Sequence, residues 1–162
     1  MKSRDHEIIL GIDPGFGRMG FGVVRYDGHG FELIDTGCIT TEAELSHGER
    51  LRVIADDLRQ LLEQHQPDKV AIEELFFGKS STTAMKVAEA RGVAQLICAE
   101  LNLPIVELKP NQIKLAVTGD GNADKTQMQD MVKRLLELDQ VPKPDDAADA
   151  LATAICAATI RY

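Results

Sequence analysis

The chain has 162 residues, and its 18 Lys and Arg against 26 Asp and Glu give a formal net charge of −8. This length is typical of one domain spanning residues 1–162. The negative charge argues against a nucleic-acid binder that depends on overall positive charge alone. With 44% hydrophobic and 27% charged residues, the chain is expected to be globular and not disordered.

Neither a leader, a membrane span nor a cysteine framework is predicted. Met1–Glu7 is too charged for a secretory leader. The longest weakly polar stretch, Ala150–Ile160, is shorter than the roughly 18 residues that a membrane span needs. Cys38, Cys98 and Cys156 are scattered without a C-x-x-C pair, so we expect reduced thiols in a cytoplasmic protein and no zinc site.

The first forty residues predict an antiparallel meander. Short apolar or alternating runs indicate strands at Ile8–Ile12, Gly20–Tyr26 and Phe31–Thr40. A turn rich in glycine follows Asp13, and Asp27-Gly28 is typical of a hairpin turn.

Helices and strands alternate in the rest of the chain. Leu51, Ile54, Leu58 and Leu62 recur at helical spacing, and Ser46 with Glu49 forms a capping-box pattern ahead of them. The predicted elements are a helix from His47 that ends before Pro67, a strand at Val70–Leu75, a helix at Ser81–Leu101, a strand at Ile105–Leu108, and helices at Asn111–Val117, Asp124–Leu138 and Asp145–Thr159. This order predicts an α/β fold with a five-stranded mixed sheet and helices on both faces.

Acidic residues end two of the predicted strands. Asp13 follows an apolar strand and either caps the next turn or serves as a metal ligand. Glu73 and Glu74 lie in an apolar strand, where an ionised carboxylate is costly unless it is paired, metal-bound or solvated at the rim. Neighbouring strand residues point to opposite faces, so one of the two glutamates can enter a given site, and periodicity does not decide which.

A third acidic group begins the last predicted helix. Asp146 and Asp149 are three residues apart and share a helical face, while Asp145 is expected to be the N-cap. Acids in a first helical turn are also favoured by the helix dipole alone. If these acids meet the strand-end acids, the oxygen ligands suit Mg²⁺ or Mn²⁺, and two such ions can promote in-line phosphoryl displacement.

Four segments resemble the RuvC-type Holliday junction resolvases, which are ribonuclease H-like endonucleases of bacteria. The resemblance covers nearly the whole chain, in family order and with family-like spacing. Its segments are Ile9–Gly15, Ala71–Phe76, Ala90–Ala94 and Asp146–Ala152.

The resemblance implies a ribonuclease H-like fold and an active site for cutting four-way DNA junctions. It implies a catalytic, metal-binding tetrad of Asp13, Glu73, Asp146 and Asp149, and so favours Glu73 over Glu74. Lys114 and Lys125 match lysines near the scissile phosphate, so Lys125 is predicted to assist catalysis. A homodimer delivering two matched nicks, partnership with the branch-migration proteins RuvA and RuvB, and a bacterial cytoplasmic location are also expected.

Contacts with DNA are predicted beside these acids. Phe76 and Phe77 could stack on or wedge between bases, or they could plug the core, and the resemblance favours Phe76 as the wedge. Basic residues near the site loops could bind phosphate, although a solvated face is the ordinary role of a lone lysine. They are Lys79, Lys86, Arg91, Lys109, Lys114 and Lys125.

Two other functions are weighed against this one. An actin-like ATPase or sugar kinase also opens with a Gly-Ile-Asp-x-Gly turn, but it needs two domains and lacks the paired aspartates of the last helix. A catalytically silent junction-binding module would not need all four acids.

Overall fold

Five strands form one mixed sheet in the computed structural model of the chain, which describes residues 5–75 and 81–160, with Ser81 described by its backbone only. The strands are β1 Glu7–Asp13, β2 Arg18–Tyr26, β3 Phe31–Thr40, β4 Lys69–Glu73 and β5 Ile105–Leu108. Their order in the sheet is β3-β2-β1-β4-β5; the pairs β1-β2 and β2-β3 are antiparallel, and the pairs β1-β4 and β4-β5 are parallel. The predicted meander followed by parallel strands is therefore confirmed.

Helices cover both faces of the sheet, as predicted. They are α1 His47–His65, α2 Ser81–Glu100, α3 Pro110–Thr118, α4 Lys125–Leu135 and α5 Asp145–Thr159. On one face, Leu10 and Ile12 of β1 pack in a core with α1 and α2. On the other face, Ile9 packs in a second core with α3, α4 and α5. Ser46 and Glu49 form the expected capping box at the start of α1.

Helix α5 lies directly on β1 and β2 because glycines remove the side chains between them. A Cβ on Gly11 would lie 2.0 Å from the carbonyl oxygen of Ala150, and one on Gly20 would lie 2.0 Å from that of Asp146. Neither contact is possible for a side-chain carbon, so both positions require glycine. This approach brings the N-terminal turn of α5 to the strand ends.

Several boundaries differ from those predicted. β4 ends at Glu73 instead of Leu75, and α4 ends at Leu135 instead of Leu138. The prediction that Asp145 is the N-cap of α5 is wrong, because Pro144 occupies that position and Asp145 is the first helical residue. Its carboxylate instead accepts a contact from Lys125 Nζ at 2.9 Å. No helix within the described residues is both long and apolar enough to cross a membrane.

Candidate active site

Asp13 and Glu73 end two adjacent parallel strands. Ile12 of β1 pairs with Ile72 of β4, and each strand ends at the next residue. The carboxyl ends of neighbouring parallel strands lie at one edge of the sheet, where sites form in such folds. The sheet topology therefore brings together two acids that are sixty residues apart in the chain.

The alternation of strand side chains determines which glutamate faces α5. Ala71 lies in the core beneath α5, whereas Val70 and Ile72 lie in the opposite core. Glu73 is two residues beyond Ala71 and so points to the α5 side. There it lines a cleft with Asp149, Lys114 and Lys125. Glu74 follows the end of the strand, and its backbone N–H donates to the Leu108 carbonyl at 2.8 Å.

The electrostatics of the four acids show that they lie close together, with Asp13 acted on by the other three. Burial, the charges of Asp149, Asp146 and Glu73, and a hydrogen bond to Asp146 together raise the pKa of Asp13 from 3.8 to about 8. Burial and Asp149 raise the pKa of Glu73, which Lys114 opposes. Burial also raises the pKa of Asp149. The site is thus a partly buried group of carboxylates that repel one another.

This repulsion predicts a pH-dependent stability of the metal-free protein. Folded Asp13 stays protonated up to about pH 8, whereas the unfolded side chain ionises above about 3.8. The free energy of unfolding should therefore fall as pH rises from about 4 to about 8. The Asp13→Asn variant lacks this ionisation, so at pH 8 in EDTA its Tm should exceed that of the parent by roughly 5 °C, and the gain should shrink towards pH 4. Thermal unfolding followed by circular dichroism measures both values.

Asp27→Asn is the matched control for this effect. Backbone N–H groups of Gly30 and His29 lower the pKa of the exposed Asp27 carboxyl. Its stabilising contribution is therefore present above its ordinary pKa and is lost as pH falls. The Asp27→Asn variant should gain no stability at pH 8, and a lower Tm for Asp13→Asn at pH 8 would contradict the burial and repulsion described for Asp13.

The donor set fits a divalent cation in its chemistry. Carboxylates are the ligands that Mg²⁺ and Mn²⁺ prefer, and a cation would relieve the mutual repulsion that raises the pKa of Asp13. As the side chains stand, however, no three His, Cys, Asp or Glu residues of the described chain form a group ready to hold a metal ion. One carboxylate is engaged elsewhere, since Arg18 Nε donates to Asp146 Oδ2 at 2.5 Å. This hydrogen bond occupies one of the two oxygens that Asp146 could offer to a cation.

Two of the predicted basic residues line this cleft. Lys114 of α3 lies close enough to Glu73 to lower its pKa. Lys125 is the first residue of α4, and its ammonium contacts Asp145 while its charge lowers the pKa of Asp149. Hydrogen bonding to Asp145 in turn raises the pKa of Lys125. Both lysines therefore line the cleft beside Glu73 and Asp149.

The other predicted DNA contacts are placed differently. Arg91 is 14% exposed, and its guanidinium donates to the Glu73 carbonyl at 3.2 Å and contacts the Glu107 carboxylate. Its geometry is that of a support for the end of β4. Lys86 Nζ lies 5.4 Å from the centre of the Phe16 ring, a cation–π arrangement. Phe76, Phe77 and Lys79 lie outside the described residues, so their predicted roles stay predictions.

Arg18 is the residue of this site that the sequence analysis missed. It is the first residue of β2, where the sequence carries no motif, and its partner Asp146 is 128 residues away. One signal was available, because an antiparallel hairpin returns the start of β2 to the end of β1. In the structure Asp13 pairs with Gly20, two residues from Arg18.

Comparison with protein families agrees with this geometry. The family model described as crossover junction endodeoxyribonuclease RuvC matches residues 9–157. A protein of that name from Roseiflexus sp. (strain RS-1) is 53% identical over 147 residues, which are 91% of this chain and 88% of the relative. One from Chloroflexus aggregans is 54% identical over 147 residues, covering 91% of this chain and 90% of the relative.

Solved structures show the same fold. RuvC of Thermus thermophilus in complex with a Holliday junction substrate has a TM-score of 0.89 and 33% identity, covering 93% of this chain and 92% of that one. The yeast mitochondrial Holliday junction resolvase Ydc2 has a TM-score of 0.66 at 13% identity, covering 93% of this chain and 78% of that one, a likeness of fold alone. The predicted ribonuclease H-like architecture is therefore confirmed.

Proposed function

The chain belongs to the RuvC family of crossover junction endodeoxyribonucleases, and from that premise we propose that it resolves four-way junctions by paired, symmetric nicks. It is a nuclease that acts on Holliday junctions in DNA recombination and repair, and the family is metal-dependent. The observation that carries the proposal is the convergence of acids from the ends of β1 and β4 and from the first turns of α5.

Asp13, Glu73, Asp146 and Asp149 would hold the metal, which we propose to be Mg²⁺, with Mn²⁺ able to replace it and two ions in each site. A divalent cation bound there supplies activation of the attacking water and stabilisation of the charge that develops on the phosphate. Asp13 and Glu73 end adjacent parallel strands, so both side chains lie at the same edge of the sheet. Asp149 faces Glu73 across the same cleft.

Lys125 and Lys114 would assist at the phosphate. Both line the cleft beside Glu73 and Asp149, and their charges already act on these carboxylates. A fixed ammonium at this edge stabilises negative charge on a phosphate oxygen as it develops. Lys86 would bind backbone phosphate further from the reaction, whereas Arg91, although predicted to contact DNA, would support Glu73. From the sequence alone, Phe76 or Phe77 would enter the junction, with Lys79 on a nearby phosphate.

Two copies of the chain would deliver the two cuts. A four-way junction is two-fold symmetric, and a homodimer with one site in each subunit matches that symmetry. Helix α2 exposes Met85 (61%) and Leu96 (58%), which are suited to such an interface. The resemblance further supports partnership with RuvA and RuvB in the cytoplasm of a bacterium.

A cleavage assay on synthetic DNA tests the proposed function. A labelled four-way junction and a linear duplex of the same arm sequences are incubated with the protein in Mg²⁺ or in EDTA, with ATP turnover measured in parallel. We expect paired nicks in the junction with Mg²⁺, none in EDTA, and far slower cutting of the duplex. Hydrolysis of ATP without nicking would favour the actin-like ATPase alternative, and equal cutting of junction and duplex would contradict junction selectivity.

A further inference from the structure

We propose that Arg18 is a displaceable counter-ion of the active site: its guanidinium holds Asp146 when no metal is bound, and a divalent cation releases it to contact a DNA phosphate. Arg18 Nε donates to Asp146 Oδ2 at 2.5 Å. The Arg18 side chain is 54% exposed, whereas that of Asp146 is 27% exposed. The less exposed carboxylate is thus held by a cation that itself reaches solvent. The inference rests on the proposed function and extends it.

The backbone places Arg18 at this carboxylate. Gly20 of β2 lies against the backbone of Asp146, where a Cβ would approach the carbonyl oxygen to 2.0 Å. Arg18 is two residues before Gly20 and so lies on the same face of the strand. Because β2 and the first turn of α5 are in direct contact, the side chain at position 18 meets Asp146 without crossing the cleft. The pairing is therefore built into the packing of α5 on the sheet.

The acidic group is faced by Arg18, Lys114 and Lys125, and Arg18 differs from the two lysines. Lys114 and Lys125 act on Glu73 and Asp149 through their charges. Arg18 instead hydrogen bonds to a carboxylate that the metal would need. An arginine cannot lose its proton at any ordinary pH. A divalent cation that binds this oxygen must consequently displace the guanidinium, because deprotonation cannot remove the positive charge of the arginine.

The released side chain would then be suited to DNA. The guanidinium fork matches phosphate oxygens, and the Arg18 side chain is already half exposed to solvent. Release also removes the positive charge of Arg18 from beside the incoming cation. The guanidinium then pairs with a DNA phosphate in place of the Asp146 carboxylate. The exchange would therefore make metal and DNA assist each other at Asp146.

In the competing interpretation, Arg18 holds Asp146 permanently in the orientation that the metal needs. The two interpretations predict opposite changes in metal affinity when Arg18 is removed. A brace that orients Asp146 for the metal predicts that removing Arg18 weakens metal binding. A displaceable counter-ion predicts that removing it strengthens metal binding, because the competitor is gone. The direction of the change in metal affinity therefore separates the two, without any measurement of cleavage.

The test uses Arg18→Ala, Arg18→Lys and the control Arg25→Ala. Arg25 lies on the same strand and pairs with Glu32 at 2.6 Å, at the end remote from the acids. Titration of Mn²⁺ without DNA, by calorimetry, should show binding about threefold to tenfold tighter for Arg18→Ala. Arg18→Lys keeps a cation and should remain closer to the parent, and Arg25→Ala should match the parent.

The second measurement is junction binding with Ca²⁺ at several salt concentrations. Loss of one phosphate contact should reduce the slope of log affinity against log salt by about 1 in Arg18→Ala but not in Arg25→Ala. Unchanged or weaker Mn²⁺ binding by Arg18→Ala would overturn the proposal, and so would an unchanged salt slope. Neither result would affect the proposed function, which the cleavage assay of the unmodified chain decides.

Discussion

Asp13→Asn should reduce junction cleavage about a thousandfold or more while leaving junction binding nearly intact. Asparagine has the size of aspartate but lacks the charge that a divalent cation needs, and Asp13 is the acid on which the other three act together. Binding should survive because DNA contacts come from cations around the cleft, and loss of a carboxylate removes repulsion towards phosphate. Single-turnover cleavage with Mg²⁺ and gel-shift titration measure the two effects separately.

Misfolding would not account for this loss. The same variant is expected to be more stable than the parent at pH 8 without metal, so a folded and inactive protein is the predicted outcome. Asp27→Asn, an exposed carboxylate in the β2–β3 turn, should cleave at the parental rate. A cleavage rate of Asp13→Asn within tenfold of the parental rate would contradict a catalytic role for Asp13.

Glu73→Gln should reduce cleavage by about a hundredfold to a thousandfold, whereas Glu74→Gln should change it by less than about threefold. The two residues are adjacent and chemically identical, so they form a matched pair. Glu73 lines the cleft with Asp149 and points to the α5 side of the sheet. Glu74 comes after the strand and is fixed by its backbone N–H to Leu108.

Cleavage rates of the two variants at saturating enzyme, with Mg²⁺ and the same junction, measure this difference. Glu73→Gln removes a negative charge near Lys114, so its junction binding should be equal to or tighter than that of the parent. A larger loss of cleavage in Glu74→Gln than in Glu73→Gln would show that Glu74, and not Glu73, points into the active site.

The sequence pattern was sufficient for the type and order of the elements and for a set of candidate acids, but it left Glu73 and Glu74 as alternatives. Apolar strand residues such as Ile9 and Ile12, followed at once by an acid and a glycine-rich turn, identify the end of β1. Asp146 and Asp149 share a helical face because their spacing is three. These are local properties, and each depends on residues within one or two turns of the chain.

The pairing of elements, in contrast, was decided by the tertiary structure. The choice of Glu73 over Glu74 came from resemblance, and its physical basis is that Ala71 packs beneath α5. Arg91, which is predicted to contact DNA, also supports the end of β4, since its partners Glu73 and Glu107 lie on neighbouring strands. Asp145 was predicted to cap a helix, but it pairs with Lys125 of another helix.

The composition and spacing of this chain thus determined the type and the order of the elements, although several of their exact ends differ by one to three residues from those predicted. Only the tertiary structure determined that β1 lies beside β4, that glycines bring α5 onto the sheet, and that Arg18 meets Asp146. The physical reason is that element type follows from nearest neighbours along the chain. The partner of a charged side chain follows instead from sheet register and helix packing, which join residues more than a hundred positions apart.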